Sequence, residues 1–485
     1  MIVAALLLAP LLGAALGRLL PGRGGEVGQL LAATLTLALA LAAGAQVVAA
    51  GPIAWGPLYL DPLGALLAAV VALVSWAASA YAIGYIRHDV AERRLSARQP
   101  PWFYLWFHLF VFTMLGVVTT DNLGLMWAAI EATTLASAVL VGFYRTREAL
   151  EAAWKYLVIC TVGISFALFG VLLLYAAGAR VLGPGDAALS WRLLTEEAAR
   201  LDPGLVRLGL LFVVLGYGTK AGFAPLHTWL PDAHSQAPTP VSAVLSGVLL
   251  PCALYGIMRT HAIAVGALGP AYPSSLLIGF GVLSAAVAVP FVLIQHDVKR
   301  LLAYSSIEHV GIIAAAIGIG GPVALFGGLL HLVVHALGKA LLFFAAGSLA
   351  HRYGSRNMAR IAGAARVLPF TGPAFLAGGL AIAGAPPFGL FVSEFSIFSA
   401  GFGRGYALVS AALIASVTLV FAGVVFHFGR MVLGEPRGGV ARGEAGLSSV
   451  FLGVPLAALL ALGLWVPPPL ASALGQAARA LGSAP

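Results

Sequence analysis

The chain has 485 residues, a formal net charge of +9, 60% apolar residues and only 9% charged residues. A soluble domain has about 45–50% apolar and about 25% charged residues, so this composition excludes a single water-soluble globule. It also excludes intrinsic disorder, which requires low hydrophobicity and high charge. The composition predicts an all-α polytopic membrane protein.

Cysteines and basic residues exclude further classes. Cys160 and Cys252 both lie in apolar segments and form no CxxC pair, which argues against a disulfide framework and a cysteine-ligated metal site. The basic residues are scattered among short loops instead of forming a stripe, so nucleic acid is not an expected partner.

Apolar segments long enough to cross a hydrocarbon core of about 30 Å occur about fourteen times along the chain. The predicted helices cover residues 2–20, 28–50, 60–86, 102–119, 122–143, 153–177, 205–231, 240–260, 273–294, 301–319, 322–350, 368–399, 405–431 and 450–466. Three of these segments exceed one membrane thickness, so we expect a break, a tilt or an overhang in 205–231, 322–350 and 368–399. No cation precedes the first apolar run, which we therefore interpret as a span and not as a signal peptide.

Lysines and arginines are distributed unequally between the two sets of loops. With fourteen spans, the odd-numbered loops hold 18 of the 27 basic residues, including Arg437, and the even-numbered loops and the C-terminus hold seven, including Arg259. Cytoplasmic loops of membrane proteins carry the excess of basic residues. We therefore predict that the odd-numbered loops lie in the cytoplasm and both termini outside. The membrane is expected to be a bacterial or archaeal cell membrane.

The remaining two basic residues, Lys220 and Lys339, lie inside predicted spans, as do Glu131 and Glu394. An ionisable group at the bilayer centre costs at least about 2.5–3.5 kcal/mol and marks an ion path by default. A buried lysine can release its proton, whereas arginine stays charged. If Glu131 and Lys220 approach each other, each stabilises the other's charge, and separating them releases a proton from the lysine. The alternative is a structural ion pair that joins two helices.

Histidines extend this pattern. His331, His335 and Lys339 recur at i, i+4 and i+8 in GLLHLVVHALGKALLFF, which places them on one helical face. His309 follows Glu308 at the start of another apolar span. A line of imidazoles suits proton relay because each can donate and accept, although a single such histidine would more often be a core residue. Metal binding is the weaker alternative, because no acid or cysteine completes a ligand set on that face.

Two predicted spans contain helix breakers near these charges. Gly222 and Pro225 follow the embedded lysine in GTKAGFAPLHTW, and Pro386 and Pro387 precede the embedded glutamate in AIAGAPPFGLFVSE. Both segments are expected to unwind in the membrane, with a simple packing kink as the alternative. Broken helices at matching places in two halves are typical of inverted-repeat transporters.

The same pattern predicts a division of the chain. We expect N-terminal transmembrane helices over residues 1–100 and a first inverted repeat, helices 4–8, over 101–262. A second inverted repeat, helices 9–13, is expected over 270–431, followed by a C-terminal helix over 432–485.

Three stretches resemble a known family: TKAGFAPLHTWLPDAHSQAPTPVSA, DVKRLLAYSSIEHVG and HALGKALLFF. They are similar to the antiporter-like, proton-pumping membrane subunits of respiratory complex I, membrane-bound nickel–iron hydrogenases and multisubunit cation/proton antiporters. The resemblance covers residues 100–400 approximately. Within the family, NLGLMWAAIEATTLASAVLVGFYRTREALEAAWKY and SGVLLPCALYGIMR are most similar to component F of hydrogenase 4.

The resemblance implies roles for the embedded groups. It matches Glu131 to a modulating glutamate on the fifth helix and Lys220 to the switching lysine on the broken seventh helix. It matches His227 to a polar position beside the break and Glu394 to a proton carrier near one exit. Together with His331 from the spacing argument, the candidate proton-translocation residues are Glu131, Lys220, His227, His309, His331, His335, Lys339 and Glu394.

Two features depart from the family. Many members have a lysine on the eighth helix where this chain has Pro251, so the link between Lys220 and the second half lacks its usual titratable group. Water, or Tyr255 and His227, would have to replace that group, or the route is interrupted. After about residue 466 the chain is too short for the long lateral helix of some relatives.

The chain has no haem or iron–sulfur ligand motif, no dinucleotide fingerprint and no Walker sequence, so we predict no cofactor, metal or catalytic residue of its own. The expected partners are other membrane subunits, redox-active subunits, lipid, and protons or sodium ions. The resemblance predicts a proton-translocating subunit of a redox complex of the group-4 nickel–iron hydrogenase type. The alternatives are an NADH-quinone oxidoreductase subunit, a cation/proton antiporter subunit, a subunit of a proton-driven inorganic-carbon uptake complex, or a non-conducting membrane anchor.

Overall fold

The structure is a computed structural model, and it describes residues 1–436, 440–444 and 448–482. Arg437, which contributes to the predicted orientation, and the corresponding parts of the predicted C-terminal unit lie outside the described residues. The architecture is all-α, as predicted, with one short hairpin.

The first part of the chain contains four helices: α1 (Ile2–Leu19), α2 (Arg23–Ala50), α3 (Pro62–Ala91) and α4 (Pro100–Val118). Between α2 and α3 lies an antiparallel hairpin that the sequence analysis missed, formed by β1 (Ile53–Trp55) and β2 (Leu58–Leu60). Its strands have three residues each, too short for an alternating pattern to be recognised. Asp61 ends the hairpin and caps α3 by accepting a hydrogen bond from the backbone N–H of Gly64 at 2.9 Å.

The next part of the chain contains the first break. Its helices are α5 (Leu123–Val141), α6 (Arg147–Leu182), α7 (Trp191–Glu196), α8 (Pro203–Ala221), α9 (Trp229–Gln236), α10 (Thr239–Val244) and α11 (Leu250–Leu268). Helices α6 and α8 pack closely because glycines meet at their contact. A Cβ atom on Gly216 would collide with the backbone nitrogen of Ala167.

The last part of the chain follows a similar plan. Its helices are α12 (Ala271–Leu293), α13 (Val298–Ile319), α14 (Gly321–Tyr353), α15 (Ala364–Val367), α16 (Thr371–Ile382), α17 (Gly389–Gly403), α18 (Ala407–Leu433), α19 (Ser448–Leu464) and α20 (Pro468–Gly482). Helices α13 and α14 form the centre of the bundle, and the membrane-spanning window of each is completely buried.

Both predicted breaks are present. Helix α8 ends at Gly222, whose φ of 89° is left-handed, and the chain resumes helical structure at Trp229. Helix α16 ends at Ile382 and α17 begins at Gly389, on either side of Pro386. The third long segment is not broken: α14 is a continuous helix of 33 residues, so it overhangs or tilts in a bilayer.

The number of spans agrees with the predicted fold class. Within the described residues, twelve helices are long and apolar enough to cross a membrane, and α19 with α20 forms a pair bent by 75° that would make a thirteenth span. The predicted span over residues 368–399 corresponds to two shorter apolar helices, α16 and α17, which are not included in that count. Helix α20 itself was not predicted.

An ion pair fastens α3 to α11 near the hairpin. Arg259, which the sequence analysis counted among the loop cations, is instead buried in α11 and only 2% exposed. Its guanidinium pairs with Asp61 and lies 3.8 Å from the ring centroid of Trp191. Because Asp61 is also buried, each charge depends on the other for its solvation.

We expect Asp61→Asn to destabilise the protein by about 3 kcal/mol, because asparagine keeps the helix cap but leaves the Arg259 charge unpaired. Thermal unfolding of the purified protein in detergent measures this loss. The matched control is Asp202→Asn, which likewise keeps a helix cap but breaks the exposed pair with Arg180 and should change stability by less than about 1 kcal/mol. Equal effects of the two substitutions would contradict a special role for the buried pair.

Candidate functional site

Lys220 lies in the last turn of α8, directly before the break, and is fully buried. Its Nζ donates hydrogen bonds to Thr134 Oγ1 at 2.8 Å and to the Tyr156 hydroxyl at 2.5 Å. The Tyr156 hydroxyl is in turn 2.6 Å from Ser137 Oγ. The helix C-terminus favours a cation at this position, and the hydroxyls of α5 and α6 replace part of its hydration shell.

Glu131 does not pair directly with Lys220 among the described residues. Thr134 Oγ1 lies between them, donating to Glu131 Oε2 at 3.4 Å while it accepts from Lys220. The other carboxylate oxygen accepts from Thr161 Oγ1 at 3.2 Å. Glu131 is half-buried and Thr161 is exposed, so the carboxylate lies at the lateral surface of the bundle. The expected direct contact is therefore replaced by a threonine bridge.

Lys339 occupies the centre of α14 and is fully buried. Its Nζ donates to the backbone oxygen of Leu302 and to Ser305 Oγ, both at 2.8 Å. Both acceptors belong to α13. This lysine is thus solvated by one neighbouring helix, as Lys220 is by hydroxyls of α5 and α6.

The predicted histidines lie together: His309 and His331 are hydrogen-bonded, whereas the ring nitrogens of His335 have no hydrogen-bond partner among the described residues. His309 Nδ1 lies 3.0 Å from His331 Nε2, and the His309 and His335 ring centroids are 5.1 Å apart. His331 Nδ1 continues the string to Ser393 Oγ at 3.0 Å. All three histidines are at most 1% exposed. The row therefore extends from α14 to α13 on one side and to α17 on the other.

Glu394 joins this group from α17, next to Ser393. Its side chain is 4% exposed, and its Oε1 has no hydrogen-bond partner among the described residues. It folds against the break, where a Cβ atom on Gly384 would collide with Glu394 Oε2. Gly384 has a φ of 77°, so the turn that makes room for the carboxylate also requires glycine.

One atom each of His309, His331 and Glu394 lie within 4.8 Å of one another, a spacing that could hold a metal ion. The sequence predicted no acid on the histidine face of α14. The acid, Glu394, comes instead from α17. The hydrogen bond between the two imidazoles favours relay, because it occupies a lone pair that a metal would need.

Two residues proposed to replace the missing eighth-helix lysine lie elsewhere. The Tyr255 hydroxyl accepts from Arg259 at 3.1 Å and so belongs to the buried ion pair near the hairpin. His227 packs against the ring of Tyr304 with a centroid distance of 6.4 Å, and its Nδ1 has no hydrogen-bond partner among the described residues. The structure does not bring His227 into contact with the other candidates.

A different residue connects this region to the centre. A π-helical segment, Leu245–Leu249, lies directly before Pro251 and contains Ser246. Ser246 Oγ is 2.7 Å from Ser306 Oγ, which donates at 2.9 Å to the same Leu302 carbonyl that accepts from Lys339. These serines could not be identified from the sequence, because a serine in an apolar helix does not differ in pattern from a residue that only packs against its neighbours.

His234 is a second missed residue. It lies in α9, within the interrupted seventh span, and is fully buried with neither ring nitrogen hydrogen-bonded among the described residues. Its ring is 6.5 Å from Trp229 and 5.6 Å from Phe343 on α14, so it lies between the two halves. Its position in the segment LPDAHSQAPTP, beside a predicted break, was a signal that could have identified it.

Comparison with known proteins identifies related sequences. Residues 120–421 match the family model described as the membrane part of NADH:quinone oxidoreductase and Mrp antiporters. Residues 53–94 match the model of the N-terminus of complex I chain 5. A hydrogenase-4 component F homolog of Methylacidiphilum infernorum is 38% identical over 84% of this chain and 85% of its own length. Subunit N of NADH-quinone oxidoreductase from Desulforudis audaxviator is 34% identical over 77% of this chain and 72% of its own.

Three solved structures have a similar fold. A chain of the archaeal membrane-bound sulfane sulfur reductase aligns with a TM-score of 0.87 and 25% identity, covering 100% of this chain and 97% of that one. A chain of complex I from Thermus thermophilus aligns with a TM-score of 0.78 and 26% identity, covering 96% and 97%. A chain of the Mrp complex from Dietzia has the same fold, with a TM-score of 0.85, 22% identity and coverage of 99% and 96%.

We expect Glu394→Met to raise the stability of the protein by about 1 kcal/mol, because it removes a buried carboxyl oxygen that lacks a hydrogen-bond partner. Thermal unfolding in detergent measures the change. Ser393→Ala, which removes a satisfied hydroxyl of the same helix, should instead lower stability. A loss of stability on removing the carboxylate would identify Glu394 as a structural group.

Proposed function

The chain belongs to the family of antiporter-like membrane subunits of NADH:quinone oxidoreductases and Mrp antiporters, and we propose that it translocates protons within a redox complex of the hydrogenase-4 type. The similarity to component F of hydrogenase 4 over most of both chains supports this choice of complex. Subunits of multisubunit membrane complexes share its fold, which supports other membrane subunits as partners.

The single observation that carries the proposal is the buried polar string through the second half. It contains Lys339 and His335, the hydrogen-bonded imidazoles of His309 and His331, and Ser393 and Glu394 on the broken helix. Direct hydrogen bonds among the described residues join only His309, His331 and Ser393, so water has to complete the string to Lys339, His335 and Glu394. Ionisable groups in a membrane interior cost free energy, and they mark ion pathways by default. Imidazoles and a lysine can each exchange a proton, so the string supports relay along the middle of the membrane.

Lys220 acts as the switching carrier in this proposal. Its ammonium donates to the hydroxyls of Thr134 and Tyr156, and Thr134 in turn donates to the carboxylate of Glu131. Moving Glu131 or Thr134 away removes favourable contacts from the charged lysine, which then releases its proton. The break after Gly222 leaves the end of α8 free of the usual helical continuation and therefore able to move.

The proton then has to reach Lys339, and the serine pair supplies part of the link. Ser246 and Ser306 are hydrogen-bonded to each other, and Ser306 and Lys339 both donate to the Leu302 carbonyl, which brings them close together. The carbonyl itself passes no proton, so a water molecule has to join Ser306 to Lys339. Hydroxyls relay protons by accepting one and releasing their own. This pair takes the place that a lysine at position 251 would occupy.

Partner subunits are expected at the surface that carries Glu131. A carboxylate facing lipid is unfavourable, and its neighbour Thr161 is exposed in the isolated chain. A large apolar stripe on the same helix, which includes Trp154, Val158, Val162 and Phe166, is also exposed. We propose that another membrane subunit covers this face, so that a redox event in the complex can act on Glu131.

Sodium transport is the competing function, because the chain is also related to cation/proton antiporters. Sodium, a hard cation, requires several oxygen ligands. The buried cluster at the end of the string offers imidazole nitrogens from His309 and His331 beside a single carboxylate, which favours protons. Sodium-dependent flux in sealed vesicles would support the antiporter alternative.

Replacing Lys220 tests the switching role. We expect Lys220→Ala and Lys220→Arg to abolish proton translocation by the assembled complex, since alanine carries no proton and arginine does not release one. Fluorescence quenching of a pH-sensitive dye in inverted vesicles measures translocation. Lys155→Gln, at an exposed lysine, is the matched control and should pump normally. Normal pumping by either Lys220 variant at normal protein levels would refute the mechanism.

Replacing the serine pair tests the link. We expect Ser306→Ala to slow proton translocation by about tenfold or more, because the hydroxyl that bridges to the Leu302 carbonyl is lost. Ser306→Thr keeps the hydroxyl and should retain most of the rate. Ser416→Ala, at a hydroxyl of α18 that bonds only within its own helix, is the control in the same assay. A rate unchanged in Ser306→Ala would rule out this link.

A further inference from the structure

A cavity of about 990 Å³ lies where α3 and α14 end, on the side that we predict to be cytoplasmic. Its lining includes Tyr81, Tyr85, His88, Arg94, Ser348 and His351. Apolar side chains, among them Leu30 and Phe451, also line the wall. One water molecule occupies about 30 Å³ in the liquid, so a space of this size has room for many beside the polar groups. None of the candidate proton-translocation residues lines it.

A buried carboxylate lies directly behind the lining. Asp89 is 0% exposed, and its Oδ1 lies 3.1 Å from His351 Nε2. Its Oδ2 accepts a hydrogen bond from the Tyr144 hydroxyl at 2.5 Å. The other groups that face the pair are Arg94, 3.7 Å from Oδ1, and His88, whose ring stacks on His351 at 4.1 Å. Lys299 on α13 acts on Asp89 at longer range.

Hydroxyls lead inward from this carboxylate. The Tyr144 hydroxyl lies 3.1 Å from that of Tyr85, which accepts from Thr239 Oγ1 at 3.2 Å. Thr239 begins α10, inside the first broken span. At Gly347 of α14 the absence of a side chain makes room for this approach, since a Cβ atom there would lie 2.8 Å from Thr239 Cγ2 and 2.8 Å from the Tyr81 hydroxyl.

Helix α14 also carries Lys339, at which the route from the cavity ends. His351, Gly347, Phe343 and Lys339 are each four residues apart on α14 and form a row that winds gradually around it. Phe343 is the apolar member of the row, and the ring of His234 lies 5.6 Å from it. His234 is buried and neither of its ring nitrogens is hydrogen-bonded among the described residues, so its imidazole is available to exchange a proton beside the apolar position.

We infer that this cavity is the water-filled vestibule from which the chain takes up protons, and that His351 and Asp89 are the pair that collects them. The inference rests on the proposed proton translocation. His351 takes a proton from cavity water at Nδ1 and gives its Nε2 proton to Asp89 Oδ1. The neutral carboxyl gives a proton to the Tyr144 hydroxyl, which releases its own toward Tyr85.

The remaining proton transfers lead from Tyr85 to Lys339. Thr239 receives the proton from Tyr85. Among the described residues no direct hydrogen bond joins Thr239, His234 and Lys339, so water has to carry the proton between them past Phe343. Each group releases one proton for each one it accepts, so the pair returns to its starting state. Arg94 supports the cycle by stabilising the carboxylate after its proton has left.

Proton translocation by the complete complex in inverted vesicles tests the collecting pair. We expect Asp89→Asn and His351→Gln to lower the initial rate by about tenfold at a pH of about 8, and by less at a pH of about 6.5, where protons are more abundant. His296→Gln, an exposed imidazole in a loop on the same side, is the matched control and should not change the rate. Wild-type rates at both pH values in assembled variants would overturn the inference.

Cysteine labelling keeps the test valid if these variants fail to assemble. The native Cys160 and Cys252 are buried, so a cysteine introduced by Ser348→Cys should be the reactive thiol in the cavity. We expect a charged, membrane-impermeant thiol reagent to modify it from the cytoplasmic side and to slow proton uptake. The control Ser275→Cys, at the exposed start of α12, should react from the opposite side. A Ser348→Cys thiol that stays unmodified from the cytoplasmic side would show that the cavity is not the vestibule.

The two proposals fail in different ways. If Lys220→Ala abolishes pumping while Asp89→Asn and His351→Gln pump normally, protons are taken up elsewhere and the proposed function stands. If Lys220→Ala also pumps normally, the proposed function fails. Labelling of the Ser348→Cys thiol from the cytoplasmic side then supports only a water-filled cavity and leaves the collecting role contradicted.

Discussion

An ammonium group in the middle of a bilayer needs a replacement for its hydration shell, and this requirement organises the interior of the bundle. Lys220 finds that replacement in two hydroxyls on α5 and α6, and Lys339 finds it in a carbonyl and a hydroxyl on α13. Each lysine therefore holds neighbouring helices in place. Such groups cost stability in hydrocarbon, so their presence is explained better by what they can do than by what they hold together.

The breaks in two helices place these groups where they are needed. The first break ends α8 directly after Lys220, and the second brings Glu394 beside the imidazoles of α13 and α14. A continuous helix would bury its polar backbone groups in its own hydrogen bonds. Unwound segments need protein or water around them, so they occur where a membrane protein has a polar interior. The ionisable side chains and the helix breaks occur together because both need a polar interior.

Much of the fold follows from the sequence because hydrocarbon thickness sets the length of each span. Both breaks were also predictable, since proline and glycine lie beside the embedded charges. The hairpin before α3 was not, because strands of three residues carry too little pattern. Helix α20 was missed because it is shorter than a span and directly follows the proline run after α19.

For the candidate site, the sequence identified the titratable groups but not their partners. Lysine, glutamate and histidine stand out against an apolar background, whereas Thr134, Ser306 and Ser393 look like ordinary helix residues. The direct pairing of Glu131 with Lys220 was the main expectation that the geometry replaced, because rotamers and helix spacing decide which atoms meet. The position of Ser246 depends on a π-helical segment, and the residues LSGVL that form it do not differ in type from those of an ordinary apolar helix.

The central claim is that a continuous polar route crosses the interior from Lys220 to Glu394. The most direct measurement is an experimental density map of the assembled complex at a resolution that shows ordered water. Our account predicts water molecules within hydrogen-bond distance between the Tyr156 hydroxyl and Ser246, joining the two halves. A dry, apolar gap between those two groups, too wide for one bridging water chain, would contradict it.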